Sequence, residues 1–180
     1  MNLVQPIRDP AKIEEIKTIL KHASYRDYFL FLFGINTGLR ISDILPLKVR
    51  DVKDQNYIIL TERKTEKAKR FIINGDLKAE ILDYIKGMSP DDYLFPSRMK
   101  GKPLSRIRAY AILHKAGAQA GIGEIGTHTL RKTFGYHFYK KHKDVALLQK
   151  IFNHSAPSVT LRYIGIEQDE IDDALRDFSL

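Results

Sequence analysis

Gly126-Thr127-His128-Thr129-Leu130-Arg131-Lys132-Thr133 is the stretch on which the interpretation of this chain depends. Thr127 is a typical N-cap residue, so the stretch predicts the start of a helix. In that helix His128 and Arg131 lie three residues apart on one face, where both side chains can reach a single ligand. The apolar and aromatic residues from Leu130 to Tyr139 predict a buried face that holds the first turn against the core. An arginine near a helix start is also often solvated and a lone histidine is often structural, so the stretch alone leaves both interpretations open.

The composition is that of a folded domain. The chain has 180 residues, of which 43% are hydrophobic and 29% are charged, and these values argue against disorder and predict one domain over residues 1–180.

No segment approaches the length of a membrane span, and the N-terminus lacks the pattern of a secretory signal, so we expect a cytoplasmic protein with no membrane partner. Because cysteine is absent, disulfides, thiolate metal ligands and a cysteine nucleophile are excluded.

Positive charge is concentrated in two tracts. The formal net charge is +8, and residues 98–115 and 131–143 contain Lys and Arg but no acidic residue. A tract of one sign within a folded chain is typical of a surface that binds a polyanion, of which nucleic acid is the commonest; a solvated basic surface is the alternative. The residues that we expect to contact DNA are Arg98, Lys100, Lys102, Arg106, Arg108, Lys132, Lys140 and Lys141.

Periodic apolar residues and capping signals predict a mainly α-helical α+β fold. Asp9-Pro10 is a helix start, and the helix should end near residues 22–24. The apolar stretch from Tyr25 to Thr37 predicts a buried helix that Gly38 ends, and Ser42 or a neighbour then caps a short helix. Further helices are predicted at 76–88, 105–117, 144–152 and 170–178.

Two more cationic positions fall between these helices. Arg40 lies in the tight turn after the buried helix, where it either forms a salt bridge with Asp43 or grips an anion at the edge of the core. The runs Tyr57 to Leu60 and Phe71 to Ile73 predict a small antiparallel sheet whose hairpin tip carries Lys64. A charged tip is usually only solvated, but a projecting hairpin can also bring a lysine to a bound phosphate.

Three stretches resemble the signature boxes of the tyrosine recombinases, also called the phage integrase family. They are residues 37–43 (Thr-Gly-Leu-Arg-Ile-Ser-Asp), residues 128–131 (His-Thr-Leu-Arg), and Asn153-His154-Ser155 with Thr160-Leu161-Arg162-Tyr163. Each box alone is weakly specific, but three boxes in the family's order, with a basic hairpin between the first two, are a specific signal that spans nearly the whole chain. The resemblance implies a mainly helical catalytic domain with a small antiparallel sheet, which breaks and rejoins DNA strands through a covalent 3′-phosphotyrosine.

The resemblance also implies which residues carry the reaction. Tyr163 is then the nucleophile, and Arg40 and Arg131 clamp the scissile phosphate. These roles fit the chemistry, because a tyrosine with a reference pKa of about 10 needs a cationic pocket to attack at neutral pH. Two guanidiniums stabilise the charge that builds on the phosphate oxygens, so we expect no metal and no other cofactor.

The same resemblance gives roles to three further residues. Lys64 is the general acid for the leaving 5′-oxygen, His128 assists proton transfer, and His154 hydrogen-bonds the phosphate. The family commonly has glycine before this second histidine, whereas this chain has Asn153. Asparagine tolerates left-handed backbone geometry better than other non-glycine residues, so we expect the turn to be preserved.

Three other functions fit parts of the pattern. An inactive or regulatory DNA-binding module of the same fold would explain the basic tracts but not the complete set of six site residues. A type IB topoisomerase, which relaxes DNA, shares the chemistry and differs in assembly rather than in residues. A metal-dependent hydrolase that uses His128, His137 and His154 lacks a suitably spaced carboxylate pattern and leaves the arginines without a role.

The two ends of the chain predict how it assembles. The chain starts close to the first catalytic helix, so we expect no separate N-terminal core-binding domain. Residues 167–177 contain six acidic residues, and nearby apolar residues fall on one helical stripe. These apolar residues are Ile166, Ile171, Ala174, Leu175 and Phe178. Such a helix folds back on its own domain or, as the resemblance implies, docks on a neighbouring protomer. We expect a monomer without DNA and a homo-oligomer with exchanged tails on double-stranded DNA.

Overall fold

A computed structural model describes residues 4–61, 68–123, 125–166, 172–173, 175–176 and 178–179. These residues form eight α-helices and one antiparallel pair of strands, which confirms the predicted mainly helical α+β fold. The helices are α1 (Pro10–Ala23), α2 (Tyr25–Thr37), α3 (Ile41–Ile44), α4 (Gly75–Tyr84), α5 (Arg106–Gln119), α6 (Thr127–His142), α7 (Val145–Phe152) and α8 (Pro157–Ile164), and the strands are β1 (Tyr57–Thr61) and β2 (Ala68–Ile72).

The first two helices begin and end where the sequence predicts. The Asp9 carboxylate accepts a hydrogen bond from the Ala11 amide at 2.8 Å and so caps α1. Ser24 separates α1 from α2 and caps the second helix. Gly38 ends α2 with a φ of 62°, a left-handed conformation that glycine adopts without steric cost. The turn that carries Arg40 therefore begins directly at the buried end of α2.

Two helix caps differ from the sequence prediction. The N-cap of α3 is Arg40, two residues before Ser42, and its backbone is extended with a φ of −69° and a ψ of 143°. The N-cap of α6 is Gly126 rather than Thr127, and the Thr129 hydroxyl accepts a hydrogen bond from the Gly126 amide at 3.0 Å. The side chain that caps this helix start thus comes from inside the helix, a pattern that a search for N-cap residues does not detect.

β1 and β2 form the predicted hairpin. The strands are antiparallel, with Tyr57 opposite Ile72 and Thr61 opposite Ala68. The hairpin tip, which includes Lys64, lies outside the described residues, so the expected role of this lysine has no structural test.

The buried apolar side chains of the described residues form two clusters. The larger cluster is built around α2, whose Phe29, Phe31 and Phe33 are fully buried, and it extends through α1, α4 and α5. The smaller cluster lies between α6, α7 and α8, where Phe152 and Ile164 are fully buried. The two clusters meet along α6, because Leu130 belongs to the larger one and Tyr136 to the smaller one.

A close approach of α2 and α6 positions the site. A β-carbon on Gly34 would lie 2.5 Å from Leu130 Cδ1, and a β-carbon on Gly38 would meet the ring of Phe134. Larger residues at these two glycines would therefore push the helices apart. The approach brings the first turns of α6 against the C-terminal end of α2, directly beside the turn that carries Arg40.

Within the described ranges, no helix is both long enough and apolar enough to cross a membrane.

Candidate active site

Arg131 is a buried cation that joins two helix ends. It lies in the second turn of α6 and is only 4% exposed. Its Nη1 donates a hydrogen bond to the Gly38 carbonyl at the end of α2 at 2.5 Å, and its Nη2 donates to the Phe152 carbonyl at the end of α7 at 2.9 Å. The guanidinium carbon also lies 4.1 Å from the centroid of the Phe152 ring. Since the carbonyls at helix C-termini carry partial negative charge, they hold this cation in a fixed position.

The charge of Arg131 is maintained in this environment. Burial, and after it the positive charge of Arg40, lowers the pKa of Arg131 to about 10, while Tyr163 and Asp43 oppose the shift. The guanidinium therefore stays protonated at neutral pH. Two arginines close enough to lower a pKa repel each other unless an anion lies between them, so the pair favours binding of a group such as phosphate.

Arg40 carries the second guanidinium of the expected pair, in the turn that follows the end of α2. It is exposed and has an extended backbone as the N-cap of α3. Within the described part of the chain it forms no ion pair with Asp43 or any other carboxylate at 4.0 Å or less. The salt-bridge interpretation of Arg40 is therefore not supported, and its side chain remains available to an external anion.

Tyr163 lies in α8 with its ring enclosed by aromatic neighbours. The ring packs edge-on against His154, with centroids 5.1 Å apart, and against Phe152, with centroids 5.7 Å apart. Burial raises the pKa of the Tyr163 hydroxyl, and the charges of Arg131 and Arg40 and a hydrogen bond with Arg131 oppose that rise. The side chain is thus sheltered from water but faces the cations that stabilise its ionised form.

His154 is oriented by the turn between α7 and α8. Asn153 ends α7 with a φ of 54°, so the left-handed geometry expected for this asparagine is confirmed. The His154 Nδ1 lies 3.0 Å from the Thr160 hydroxyl, which fixes the ring beside Tyr163. Burial lowers the pKa of His154, and the charge of Arg131 lowers it further. The ring is therefore neutral at pH 7 and can accept or donate a hydrogen bond there.

His128 extends from the first turn of α6 into the same cationic region. It is exposed. Desolvation lowers the pKa of His128, and the charges of Arg106, Lys132, Arg131 and, last, Arg40 add to the effect. The side chain is therefore neutral at pH 7 and lies near the positive charges that would hold a phosphate.

Lys132 occupies a different position from the one expected. The sequence assigned it to an outer basic face, but the structure buries it, with 5% of the residue exposed. Its ammonium lies 5.0 Å from the centroid of the Tyr163 ring. The reason is the packing of α6 against α8, which places the Lys132 ammonium beside the Tyr163 ring.

The other expected DNA-contacting residues lie at the surface. Those with exposed side chains are Arg98, Lys100, Lys102, Arg106, Arg108, Lys140 and Lys141. Ile107 is 80% exposed between two of these arginines at the start of α5. This arrangement leaves the basic tracts accessible to a large polyanion.

A segment before α1 supports the site, which the sequence did not predict. The Ile7 amide donates a hydrogen bond to the Thr133 hydroxyl at 2.9 Å, and His137 Nε2 lies 2.9 Å from the Ile7 carbonyl. Arg8 Nη2 donates to the carbonyl of Gly165, which ends α8, at 3.3 Å. These contacts tie α6 to the helix of the expected nucleophile. They lacked a sequence signal because they join residues more than 100 positions apart.

The metal-hydrolase interpretation has no geometric support. His137 bonds to a backbone carbonyl, and His154 to a threonine hydroxyl. The described residues contain no group of three or more His, Asp or Glu side chains that could hold a metal ion.

The structure brings together five of the six residues of the expected site. Charge or direct contact links these five residues, which are Arg40, His128, Arg131, His154 and Tyr163. The sixth, Lys64, lies outside the described residues. The arrangement joins a partly buried phenol to two guanidiniums and two neutral imidazoles, which is suited to transferring a phosphoryl group to an oxygen nucleophile.

Comparisons with known sequences identify the family of the chain. The profile of the phage integrase family matches residues 9–170. The chain is 57% identical over 169 residues to a probable integrase/recombinase, YoeC, of Bacillus subtilis strain 168, and the match covers 94% of this chain and 93% of that protein. It is 31% identical over 167 residues to a tyrosine recombinase of Pseudothermotoga lettingae, covering 89% of this chain but 57% of that protein. The chain thus spans a little over half the length of this second relative.

Solved structures share the fold. The XerH site-specific recombinase bound to a palindromic difH substrate, in a post-cleavage complex, superposes with a TM-score of 0.76 at 20% identity. That match covers 98% of this chain and 54% of XerH. The catalytic domain of bacteriophage HP1 integrase gives a TM-score of 0.65 at 20% identity and covers 97% of this chain and 95% of that domain.

Proposed function

Because the chain belongs to the phage integrase family, we propose that it is the catalytic part of a site-specific DNA recombinase or integrase. It cleaves and rejoins DNA strands through a covalent 3′-phosphotyrosine on Tyr163. Its partner is double-stranded DNA in the cytoplasm. The observation that carries the proposal is the position of Arg131, which is fixed between two helix ends and faces both Arg40 and Tyr163.

The reaction is a transesterification. The Tyr163 oxygen attacks the scissile phosphorus, the new O–P bond forms, and the bond from phosphorus to the 5′-oxygen breaks. The tyrosine loses its proton, with His128 assisting, and the 5′-oxygen gains a proton from a general acid, the role that we assign to Lys64. A 5′-hydroxyl that attacks the phosphotyrosine reverses these steps and rejoins a strand. Since the number of phosphoester bonds is unchanged, the reaction needs no nucleoside triphosphate.

Arg40 and Arg131 supply the stabilisation. Each guanidinium donates hydrogen bonds to non-bridging phosphate oxygens, on which negative charge builds during attack. Arg131 has five N–H donors and uses two of its nitrogens on backbone carbonyls, so donors remain for Tyr163 and the phosphate. His154 hydrogen-bonds the same phosphate from the turn after α7.

Assembly is the second part of the proposal. The chain is a monomer without DNA, and its acidic C-terminal segment docks on a basic neighbour in the DNA-bound oligomer. Leu175 and Phe178, which are 61% and 65% exposed, are available for that contact. Deleting residues 168–180 should weaken cooperative assembly and strand exchange more than binding to one site. If the truncated protein unfolds instead, the segment belongs to its own core.

A nicked suicide substrate tests the proposal. Such a DNA loses a short fragment after cleavage, so the covalent protein–DNA adduct accumulates and is seen as a band of reduced mobility in a denaturing gel. We expect the adduct in the presence of EDTA, and we expect binding whose log affinity falls steeply with log salt concentration. DNA binding without an adduct would favour the regulatory module, and an adduct that requires added Mg²⁺ or Zn²⁺ would favour metal chemistry.

A further inference from the structure

Lys132 is buried beside the nucleophile in a way that its neighbours on α6 are not. Among the lysines whose side chains the structure describes, it is the only buried one. Lysine is rarely buried unless it is paired, because removing an ammonium from water is costly. Lys140 and Lys141, two turns further along the same helix, are exposed. The burial of Lys132 therefore removes part of the water around its ammonium, and an attractive contact would offset that loss.

No carboxylate supplies that interaction. Within the described ranges Lys132 forms no ion pair and no hydrogen bond through its side chain. Desolvation alone lowers the pKa of Lys132, with no acidic group opposing it. The contact that the ammonium does make is with the ring of Tyr163, whose centroid is 5.0 Å away. A cation over the face of a tyrosine ring is attracted by the negative charge of the π system.

Four other groups surround the same ring. Phe152 and His154 pack edge-on against it from the end of α7 and the following turn. Arg131 faces it from α6, and the charge of Arg40 reaches it from the turn after α2. Two aromatic edges and a cation thus confine the ring, while the guanidiniums face its hydroxyl.

We infer that Lys132 is a positioning residue for Tyr163, whose ammonium holds the ring in place and stabilises the negative charge that the phenol oxygen acquires during attack. The inference rests on the proposed function, because only a nucleophilic Tyr163 gives the contact a catalytic consequence. It assigns Lys132 to the nucleophile rather than to the DNA backbone.

Two other roles for Lys132 give different experimental results. If only the aliphatic stem of Lys132 matters, because it packs between α6 and α8, then an uncharged side chain of equal length should leave the rate of adduct formation unchanged. If its ammonium contacts a DNA phosphate, removing the charge should weaken binding and reduce the slope of log affinity against log salt by about one.

Lys132→Met and Lys132→Arg separate these roles. Methionine keeps the stem and removes the charge, whereas arginine keeps the charge. At saturating suicide substrate we expect adduct formation by Lys132→Met to slow by about tenfold or more and by Lys132→Arg to stay within about threefold of wild type. DNA affinity and its salt slope should be unchanged in both. Equal rates for the three proteins, or a loss of affinity with a smaller salt slope, would overturn the inference. Thermal melting of both variants checks that they fold.

A second measurement does not depend on cleavage. The pKa of Tyr163 can be followed by NMR in protein carrying ¹³Cζ-labelled tyrosine, with Tyr163→Phe used to assign the signal. Arginine stays charged throughout the titration, so we expect the Tyr163 pKa to be about one unit lower in Lys132→Arg than in Lys132→Met. Equal pKa values overturn the inference whether or not the wild type forms an adduct. A wild type that forms no adduct while this difference is present contradicts the proposed function alone.

Discussion

The two apolar clusters differ in size, and the reaction is assigned to the boundary between them. Among the described residues the larger cluster contains 31 buried apolar residues and the smaller one, between α6, α7 and α8, contains five. Arg40 follows the end of α2 in the larger cluster, whereas His154 and Tyr163 belong with the smaller one. The larger cluster thus supports the proposed phosphate ligand Arg40, and the smaller cluster supports the proposed nucleophile Tyr163.

Arg131 connects these regions through hydrogen bonds rather than apolar packing. Its bonds to Gly38 and Phe152 hold the end of α2 against the end of α7. We therefore expect the Arg131 side chain to be needed both for the geometry of the site and for its charge, and the Arg40 side chain for the charge alone. Four experiments test this difference.

Arg131→Lys and Arg40→Lys should have the largest effects. Both should reduce the rate of adduct formation by orders of magnitude, because an ammonium cannot supply the planar fork of a guanidinium. Only Arg131→Lys should also lower the free energy of unfolding, by about 1–3 kcal/mol, since at least one buried carbonyl loses its donor. Urea unfolding measures this difference. Near-normal cleavage by both variants contradicts the phosphate clamp, and equal stability of the two contradicts the bridging role.

Gly135→Ala should disturb the smaller cluster. A β-carbon on Gly135 would lie 2.7 Å from both Ile164 Cγ2 and Phe152 Cε2, so α6 and α8 must separate. We expect a loss of about 1–3 kcal/mol in the free energy of unfolding. Gly75→Ala is the matched control, because nothing lies within 4 Å of its β-carbon at the start of α4. Alanine favours helix at both positions, so destabilisation at Gly135 alone identifies the clash. Equal effects would show that the packing of α6 on α8 is not tight.

Native-state hydrogen exchange should find the smaller cluster opening first. We expect the amides of α8 to be at least tenfold less protected than those of α2, because fewer buried contacts oppose local opening there. Protection should increase in α8 when DNA is bound. Equal protection in the two helices without DNA would mean that the clusters unfold together.

His154 should give the smallest effect, a dependence of stability on pH. Burial lowers the pKa of His154 below its ordinary value of 6.5, so the unfolded chain takes up this proton more readily than the folded one. The stabilising contribution of the neutral ring is present above pH 6.5 and is lost as the pH falls through the lowered value. His154→Gln should therefore lose less stability than wild type between pH 7 and pH 5 in urea unfolding. If His154→Gln loses as much stability as wild type between pH 7 and pH 5, then His154 does not cause this pH dependence.

Local chemistry allowed much of the fold to be predicted from the sequence. The structure confirms three helix boundaries that follow from the preferences of single residues. Asp9 caps the start of α1 through its side chain, and Gly38 and Asn153 end α2 and α7 with left-handed backbones. The pairing of β1 and β2 was predicted in a similar way from two short apolar runs, Tyr57 to Leu60 and Phe71 to Ile73. These features depend on neighbours in the sequence, so a sequence pattern carries them.

Long-range packing decided what the sequence could not predict. The burial of Lys132 depends on α8, which begins 25 residues later, and a basic tract gave no indication of it. Likewise Arg131 was expected at the site, but its bonds to the carbonyls of Gly38 and Phe152 depend on how three helix ends meet. The family resemblance named the reacting residues, and the structure adds how one of them is held in place.

Identifying the residue that carries the DNA tests the central claim most directly. The adduct formed on a suicide substrate is digested with protease and nuclease, and the peptide that retains nucleotides is sequenced by mass spectrometry. We expect a phosphodiester link to Tyr163 through the 3′ end of the cleaved strand, and no adduct with Tyr163→Phe, whose DNA binding should be nearly unchanged. An adduct on Tyr139 or another residue, or one that persists in Tyr163→Phe, would contradict it.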